Sequence, residues 1–173
     1  MLAASGDVKR IVIFGNSASG KSSLAKHLAE QHHLAHLDLD TLAWLPITEK
    51  SPLPHRQSVD ISVGEIDRFI KQNNQWVIEG CYSDLLTHTL GKCSEVIFLN
   101  LPVKLCILNA KNRPWEPHKY KSKAEQDANL SMLIDWISQY EHRTDTFSKA
   151  AHEKLYNGFL GEKSHRIDNH KFY

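Results

Sequence analysis

The sequence is poor in cysteine and has no long apolar run. Its 173 residues include three cysteines, an odd number with wide spacing and no C-x-x-C pair. Neither a disulfide framework nor a zinc knuckle is therefore indicated. The longest apolar stretches have only the length of a strand, so no membrane span is expected. The formal net charge is +1 and no face or tail is strongly basic, so nucleic-acid binding is not expected either.

Length and composition favour one globular domain. Hydrophobic residues make up 41% and charged residues 24% of the chain, which are ordinary values for a globular protein. We therefore interpret residues 1–173 as a single domain with one core. The first ten residues lack the apolar stretch of a secretory signal, and the few scattered thiols suit a reducing compartment. We expect a cytoplasmic protein that is a monomer or a homodimer.

The most informative segment is a glycine-rich loop between a predicted strand and a predicted helix. Gly15 is followed after four residues by Gly20, Lys21 and Ser22, which completes the G-x-x-x-x-G-K-[ST] pattern of a phosphate loop. The glycines let backbone amides approach a phosphate, and the helix N-terminus favours the anion. Lys21 can reach the β- and γ-phosphates of ATP, and the Ser22 hydroxyl is placed to ligate Mg²⁺. The residues predicted to bind the nucleotide are Gly15, Asn16, Ser17, Ala18, Ser19, Gly20, Lys21, Ser22 and Ser23.

Apolar strands alternate with helical patterns along the chain. The predicted strands cover residues 9–14, 34–38, 75–79, 96–101 and 164–168. The predicted helices cover residues 20–31, 63–72, 102–110, 122–141 and 145–157, with a short one after residue 82. Ser62 with Glu65, and Ser122 with Glu125, have the spacing of a capping box at two helix starts.

This alternation predicts an α/β fold with a parallel sheet and right-handed crossovers. With the phosphate loop it predicts a P-loop NTPase: three α/β/α layers around a parallel sheet of about five strands, with a short lid. Ligands of such sheets bind beyond the carboxyl ends of the strands. Asp38 and Asp40 end the second strand and Glu79 ends the third, so these acids are expected to meet the phosphate loop in one cleft.

The acids have two possible roles in phosphoryl transfer. Asp38 and Asp40 are two residues apart, so on an extended strand end they would face the same side. One could hold Mg²⁺ through water while the other accepts the proton of an acceptor hydroxyl; ordinary strand-end turn residues are the alternative. Glu79 stands where a Walker-B-type acid would. The candidate metal ligands are Ser22, Asp38 and Glu79.

Residues 111–123 form a basic segment with two prolines and read as a lid loop. An arginine in such a lid can cover the charge that develops on the γ-phosphate and helps to exclude water. Arg113 lies in this segment and Arg143 follows the next helix. For Lys111 and Lys119 a solvated basic turn is an equal alternative. The candidate catalytic residues are Lys21, Asp38, Asp40, Arg113 and Arg143.

Together these motifs resemble the small P-loop kinases, the group that contains adenylate and shikimate kinases. The order of motifs is similar over nearly the whole chain. The chain most closely resembles the family of DNA topology modulation proteins, through the phosphate loop, the His-Leu-Asp of residues 36–38 and the segment from Trp76 to Tyr82. The resemblance implies an ATP- and Mg²⁺-dependent phosphotransferase with a small-molecule or nucleotide acceptor.

Two departures limit what the resemblance implies. Shikimate kinases carry a glycine triplet after the third strand, where this chain has Glu79-Gly80-Cys81. Adenylate kinases carry Asp-Gly-Phe-Pro-Arg there, and this chain has no Pro-Arg. The arginine that would grip a nucleoside monophosphate is therefore not visible in the sequence.

Two other functions compete with a kinase. A GTPase switch needs an Asn-Lys-x-Asp guanine reader and an Asp-x-x-Gly switch, and the sequence contains neither. A non-catalytic nucleotide-binding regulator with a kinase-like fold remains the alternative. The leading hypothesis is an ATP-dependent kinase that acts on a hydroxyl or phosphate of a small metabolite or nucleotide.

Overall fold

Five parallel strands form the central sheet of the computed structural model. The structure describes residues 7–170; residues 1–6, for which the sequence predicts no secretory signal, and residues 171–173 lie outside the described residues. The strands are β1 (Arg10–Gly15), β2 (Ala35–Asp38), β3 (Trp76–Gly80), β4 (Glu95–Leu99) and β5 (Glu162–Arg166). They lie in the order β2-β3-β1-β4-β5, and every neighbouring pair is parallel.

Helices cover both faces of this sheet. They are α1 (Lys21–His32), α2 (Val59–Gln72), α3 (Ser83–Leu86), α4 (Val103–Asn112), α5 (Lys123–Ala128), α6 (Leu130–Ser138) and α7 (Lys149–Gly158). In β1, Val12 and Phe14 belong to a buried cluster with residues of α2, α3 and α7. Ile11 and Ile13 point to the opposite face, into a cluster with residues of α1, α4 and α6. The alternation of side chains along a strand thus produces two apolar layers, which confirms the predicted three-layer α/β/α fold.

Helix α1 shows how the sequence pattern positions the site. Leu24 and Ala25 are buried, and Leu28 and Ala29 pack partly buried against the same cluster. This apolar stripe holds the helix against the sheet, and its first residue is Lys21 of the phosphate loop. None of the helices between residues 7 and 170 is long and apolar enough to cross a membrane.

The predicted start of α2 is wrong. The helix begins at Val59 after Ser58, four residues before the predicted start at residue 63. Ser62 lies inside the helix, fully buried, and its hydroxyl donates to the Leu42 carbonyl at 2.9 Å. A tertiary hydrogen bond therefore uses the hydroxyl that the capping-box spacing assigned to a helix end.

The single helix predicted over residues 122–141 is also wrong, because α5 and α6 are separate helices that meet at Asn129. The side-chain amide of Asn129 donates to the Glu125 carbonyl at 3.0 Å. Such local side-chain hydrogen bonds compete with a continuous helix. The predicted cap at the start of α5 is confirmed, since Ser122 Oγ accepts from the Glu125 amide at 3.1 Å.

Candidate active site

The phosphate loop joins β1 to α1 through a backbone that favours glycine. Gly15 has φ +154° and Gly20 has φ +91°, while Ala18 lies between them at φ +58°. A Cβ on Gly15 would lie 2.3 Å from the Leu99 carbonyl oxygen of β4. Since no side chain fits there and the dihedral itself is strained for other residues, the first glycine of the motif is a structural requirement.

Lys21 points back into the loop. Its ammonium donates to the Asn16 carbonyl at 2.7 Å, and the side chain is 9% exposed. Asn16 is itself buried; its side-chain oxygen accepts from the Ser17 amide at 2.8 Å, and its amide group donates to the Ile137 carbonyl of α6 at 3.2 Å. Asn16 therefore connects the loop to α6 by a hydrogen bond, and its carbonyl binds the ammonium of Lys21 within the phosphate loop.

Two asparagines that the sequence analysis did not single out bind the phosphate loop and line the same cleft as the loop. The Asn109 side chain, on α4, donates to the Ala18 carbonyl at 2.9 Å. The Asn169 side chain donates to the Ser19 carbonyl at 3.1 Å and accepts from Asn109 at 3.1 Å. These bonds occupy two carbonyls of the loop, so that its amides are the backbone groups left to bind an anion.

Ser22 and Glu79, two of the predicted metal ligands, are in direct contact. Ser22 Oγ donates to Glu79 Oε1 at 2.7 Å, and Glu79 is only 2% exposed. His36 Nε2 lies 3.5 Å from the same carboxylate oxygen. The described residues contain no group of three histidine, cysteine or acidic side chains arranged to hold a metal. Mg²⁺ commonly takes one or two protein oxygens and completes its shell with water and nucleotide phosphates, so the Ser22–Glu79 pair fits that ion.

Asp38 lies beside Glu79, its register partner on β3. Its Oδ1 accepts from the Asp40 backbone amide at 2.8 Å and begins a 3₁₀ turn over Leu39–Thr41. Burial, reinforced by the carboxylates of Glu79 and Asp40, raises the pKa of Asp38 to about 6. Asp38 thus acts as a turn residue and also adds to a cluster of acids that a bound cation would stabilise.

Asp40 lies in the 3₁₀ turn rather than on an extended strand end, because β2 ends at Asp38. Its Oδ1 accepts from the Tyr82 hydroxyl at 2.5 Å, and its Oδ2 from Lys119 Nζ at 3.3 Å. Asp40 lines the main cleft, whereas Asp38 lines a smaller cavity beside it. The expectation that the two acids face one side is therefore not met, and Asp40 is the acid at the rim of the main cleft.

The segment between α4 and α5 carries an ionic network over the cleft. Arg113 Nη1 lies 3.0 Å from Glu116 Oε2, and Lys119 lies between Asp40 and Glu116 Oε1, 3.8 Å from the latter. Burial alone would lower the pKa of Lys119, but the carboxylates of Asp40 and Glu116 outweigh it and raise the pKa. Lys119 therefore stays positively charged in the site. Lys111, by contrast, is exposed near the end of α4, as a solvated basic residue would be.

Arg143 stands apart from this network. Its guanidinium carbon lies 3.6 Å from the centroid of the Trp136 ring, and Nη2 pairs with Asp145 Oδ2 at 2.7 Å. Arg143 is not among the described residues that line the main cleft. The structure therefore brings Arg113, but not Arg143, to the phosphate loop.

The main cleft has a volume of about 530 Å³. The phosphate loop lines one side through Ser17, Ala18 and residues 20–23, whereas Gly15, Asn16 and Ser19 do not line it. Asp40 and Glu79 line the cleft from the strand ends, and Arg113, Glu116, Lys119 and Tyr120 line it from the segment over the cleft. Three segments that are distant in sequence thus converge where the fold predicts a ligand.

Comparison with known proteins finds a curated relative and solved structures, among them a gluconokinase and a shikimate kinase. The chain is 25% identical over 152 residues to the "Uncharacterized protein YqaC" of Bacillus subtilis (strain 168). This alignment covers 84% of this chain and 80% of that protein. A gluconokinase from Sinorhizobium meliloti 1021 aligns with a TM-score of 0.47 and 16% identity over 81% of this chain and 79% of its own. A shikimate kinase from Bacteroides thetaiotaomicron aligns with a TM-score of 0.45 and 14% identity over 86% and 97%.

A family model described as "AAA domain" matches residues 11–130. The match includes the phosphate loop, the strand-end acids and the whole segment over the cleft. It covers more than half of the chain and agrees with the parallel sheet and the glycine dihedrals of the loop. The chain therefore belongs to the AAA domain family, with a P-loop fold that supports nucleotide binding.

Proposed function

We propose that the protein is an ATP-dependent phosphotransferase that acts, with Mg²⁺, on a hydroxyl or phosphate of a small metabolite or nucleotide. The observation that carries the proposal is the position of Asp40. Its carboxylate lines the same cleft as Lys21 and the Ser22–Glu79 pair. A nucleotide-binding loop alone would support only binding, whereas a carboxylate across the cleft supplies a group that can orient an acceptor.

The phosphate side of the reaction depends on charge and backbone amides. The loop amides and the N-terminus of α1 hold the phosphates, and Lys21 moves from the Asn16 carbonyl to the β- and γ-oxygens. Arg113, which lines the cleft beside the loop, stabilises the charge that develops in the transition state. When bound, Mg²⁺ would neutralise the phosphate oxygens. Ser22 and Glu79 would hold it, with Asp38 close by.

On the acceptor side, Asp40 orients the attacking hydroxyl and takes its proton. A general base must lie within about 2.6–3.2 Å of the proton's oxygen in the complex. Asp40 Oδ2, which Lys119 now contacts at 3.3 Å, is the oxygen that an acceptor can reach by displacing the ammonium. Lys119 then remains near the transferring group as a second cation.

One observation also supports the alternative of a non-catalytic nucleotide-binding regulator. Both carboxylate oxygens of Asp40 are hydrogen-bonded by the protein's own side chains, Tyr82 and Lys119. If Lys119 never leaves Oδ2, nucleotide binds but no acceptor is oriented. The regulator and the kinase therefore differ in whether this ion pair opens.

The experiment is a search for a phosphorylated product. The protein, ATP and Mg²⁺ are incubated with a panel of metabolites and nucleotides, and products are detected by mass spectrometry. We expect one acceptor class to gain a phosphoryl group, and Asp40→Asn to slow transfer to it by about 10²-fold or more while MgATP binding stays nearly intact.

Asp135→Asn is the matched control, because Asp135 is exposed on α6 and lies outside the lining of the cleft. This control should keep full activity. ATP binding without any phosphorylated product would favour the regulator. Full transfer by Asp40→Asn would exclude Asp40 from the proposed role.

A further inference from the structure

We propose that Tyr82 is a positioning residue for Asp40. The Tyr82 hydroxyl fixes Asp40 Oδ1, so that Oδ2 becomes the oxygen that receives the acceptor hydroxyl. Trp44 sets the direction of the hydrogen bond between Tyr82 and Asp40. The inference rests on the proposed function, because it concerns how the acceptor is oriented. It adds two residues to the site, neither of which lines the main cleft.

The direction of the hydrogen bonds follows from the chemistry of the three groups. Trp44 Nε1–H lies 2.7 Å from the Tyr82 hydroxyl oxygen, and an indole can only donate. The phenol oxygen therefore accepts from Trp44, and its own proton is directed to Asp40 Oδ1, 2.5 Å away. Each of the two bonds thus has only one possible donor.

The phenol cannot easily turn away from Asp40. Tyr82 is 2% exposed, and its ring meets Phe147 and Trp44 edge to face, with centroids 5.4 Å and 6.4 Å apart. The Arg56 guanidinium carbon lies 4.9 Å from the centroid of the Tyr82 ring, and Arg56 is in turn paired with Asp84 at 3.1 Å. Burial, with the negative charge of Asp40, raises the pKa of Tyr82 above its usual range, so the phenol stays a neutral donor.

The two oxygens of Asp40 therefore differ in what they can do. Oδ1 faces a buried donor that cannot leave, whereas Oδ2 faces Lys119, whose side chain is 30% exposed and belongs to the segment over the cleft. Only the second partner can be exchanged for an acceptor hydroxyl. Without the phenol, the carboxylate of a short 3₁₀ turn could rotate, and a misplacement of about 1 Å can cost about 10²-fold in rate.

Trp44 extends this connection to the loop before α2. The Trp44 side chain is 36% exposed, and its backbone forms an antiparallel bridge with Arg56. The Arg56 guanidinium donates back to the Ala43 carbonyl at 3.1 Å. The loop over residues 43–57 is thus closed at its base by the residues that hold Tyr82.

The test is a double-mutant cycle with Tyr82→Phe and Asp40→Asn. Tyr82→Phe keeps the ring and removes the hydroxyl, so we expect kcat to fall by about 10-fold to 10²-fold, with the affinity for ATP unchanged. In the Asp40→Asn background, Tyr82→Phe should cost less than about twofold, because Tyr82 acts through Asp40. Tyr156→Phe on α7, remote from the cleft, is the matched control and should leave kcat unchanged. Rates are measured with the acceptor found in the panel, or as ATP hydrolysis if none is found.

A spectroscopic measurement keeps the inference testable if the wild-type protein shows no turnover, an outcome that would contradict the proposed function alone. In ¹⁵N-labelled protein, the indole N–H signal of Trp44, identified by its loss in Trp44→Phe, should shift in Tyr82→Phe and in Asp40→Asn. It should not shift in Tyr156→Phe. An unshifted Trp44 signal in Tyr82→Phe would overturn the inference. So would an equal loss of rate from Tyr82→Phe with and without the Asp40 carboxylate.

Discussion

Single side chains in this site have partners that decide their chemistry. Lys21 was predicted from the motif, and the structure gives it one strong contact, 2.7 Å to the Asn16 carbonyl. That contact is local, five residues apart in sequence, and it can be exchanged for phosphate oxygens without disturbing the core. We therefore expect the charge of Lys21 to serve ligand binding rather than packing.

We predict that Lys21→Ala loses productive ATP binding while the chain stays folded. A charged hydrogen bond contributes roughly 1.5–3 kcal/mol, so the affinity should fall by about 10-fold to 10²-fold. Calorimetric titration of ATP measures the affinity, and circular dichroism during heating measures stability. Lys154→Ala, an exposed lysine of α7, is the control and should bind ATP normally. Equal affinity in the two variants would contradict the assignment of Lys21.

The residues that the sequence did not reveal lie far from the motif in the chain. Asn109 and Asn169 contact loop residues 91 and 150 positions away, and Tyr82 contacts Asp40 across 42 positions. An isolated asparagine or tyrosine has no spacing that indicates such a role. Residues of the contiguous loop could be predicted because the loop's chemistry is encoded locally.

At the scale of elements, the strands were predictable and several helix boundaries were not. Besides α2 and the helix over residues 122–141, α7 begins at Lys149, four residues after the predicted start at residue 145. Each predicted strand lies within two residues of its observed bounds. For β1, β3 and β4 the reason is that strands buried on both faces read as continuous apolar runs. Ser62 and Asn129 explain the errors in α2 and in the helix over residues 122–141, since both use side-chain hydrogen bonds that apolar periodicity does not register.

The segment between α4 and α5 was predicted as a lid from its charge and prolines. Its cations, however, are not equivalent. Arg113 pairs with Glu116 and lines the cleft beside the loop, whereas Lys119 reaches Asp40 across the cleft. Composition could indicate a basic lid, but only the tertiary arrangement shows that Lys119, and not Arg113, pairs with Asp40.

We predict that Arg113→Ala lowers kcat strongly and changes the affinity for ATP little, because an arginine used in the transition state contributes little to ground-state binding. Arg113→Lys should restore little activity, since an ammonium lacks the planar fork of the guanidinium. Arg68→Ala, on the exposed side of α2, is the control.

The lid itself is tested by hydrogen exchange. Residues 111–123 should gain protection when a bisubstrate analogue binds, because closure shields their amides from water. If exchange there is unchanged and Arg113→Ala keeps wild-type kcat, this segment is not a lid. Arg143 would then become the better candidate.

At the scale of the whole molecule, two titrating groups, His152 and Asp38, have opposite effects on the pH dependence of stability. His152 on α7 is fully buried; its Nε2–H donates to the Cys81 carbonyl at 2.8 Å, and Nδ1 accepts from the Tyr140 hydroxyl at 2.8 Å. Burial lowers the pKa of His152 from 6.5 to about 4. Burial and neighbouring carboxylates raise the pKa of Asp38 from 3.8 to about 6.

The two shifts give opposite dependences of stability on pH. Between pH 6.5 and about 4, His152 is protonated in the unfolded chain but stays neutral in the folded protein. The free energy of unfolding therefore falls as the pH falls, by up to about 3 kcal/mol. Between pH 3.8 and about 6 the folded protein retains a proton on Asp38 that the unfolded chain releases, so stability falls as the pH rises. In wild type the two slopes partly cancel over the window that they share.

We therefore predict that single variants expose the two slopes. Relative to wild type, Asp38→Asn should gain stability as the pH rises through about 4 to 6, because the buried charge that forms there is removed. His152→Gln should behave in the opposite way: its deficit relative to wild type should be largest at neutral pH and shrink as the pH falls towards about 4. Urea unfolding across this range, without Mg²⁺ or nucleotide, measures both differences.

Asp135→Asn, an exposed control, should differ from wild type by the same amount at every pH. A pH-independent difference for His152→Gln would show that the pKa of this imidazole is the same in the folded and unfolded chains, which would contradict the prediction.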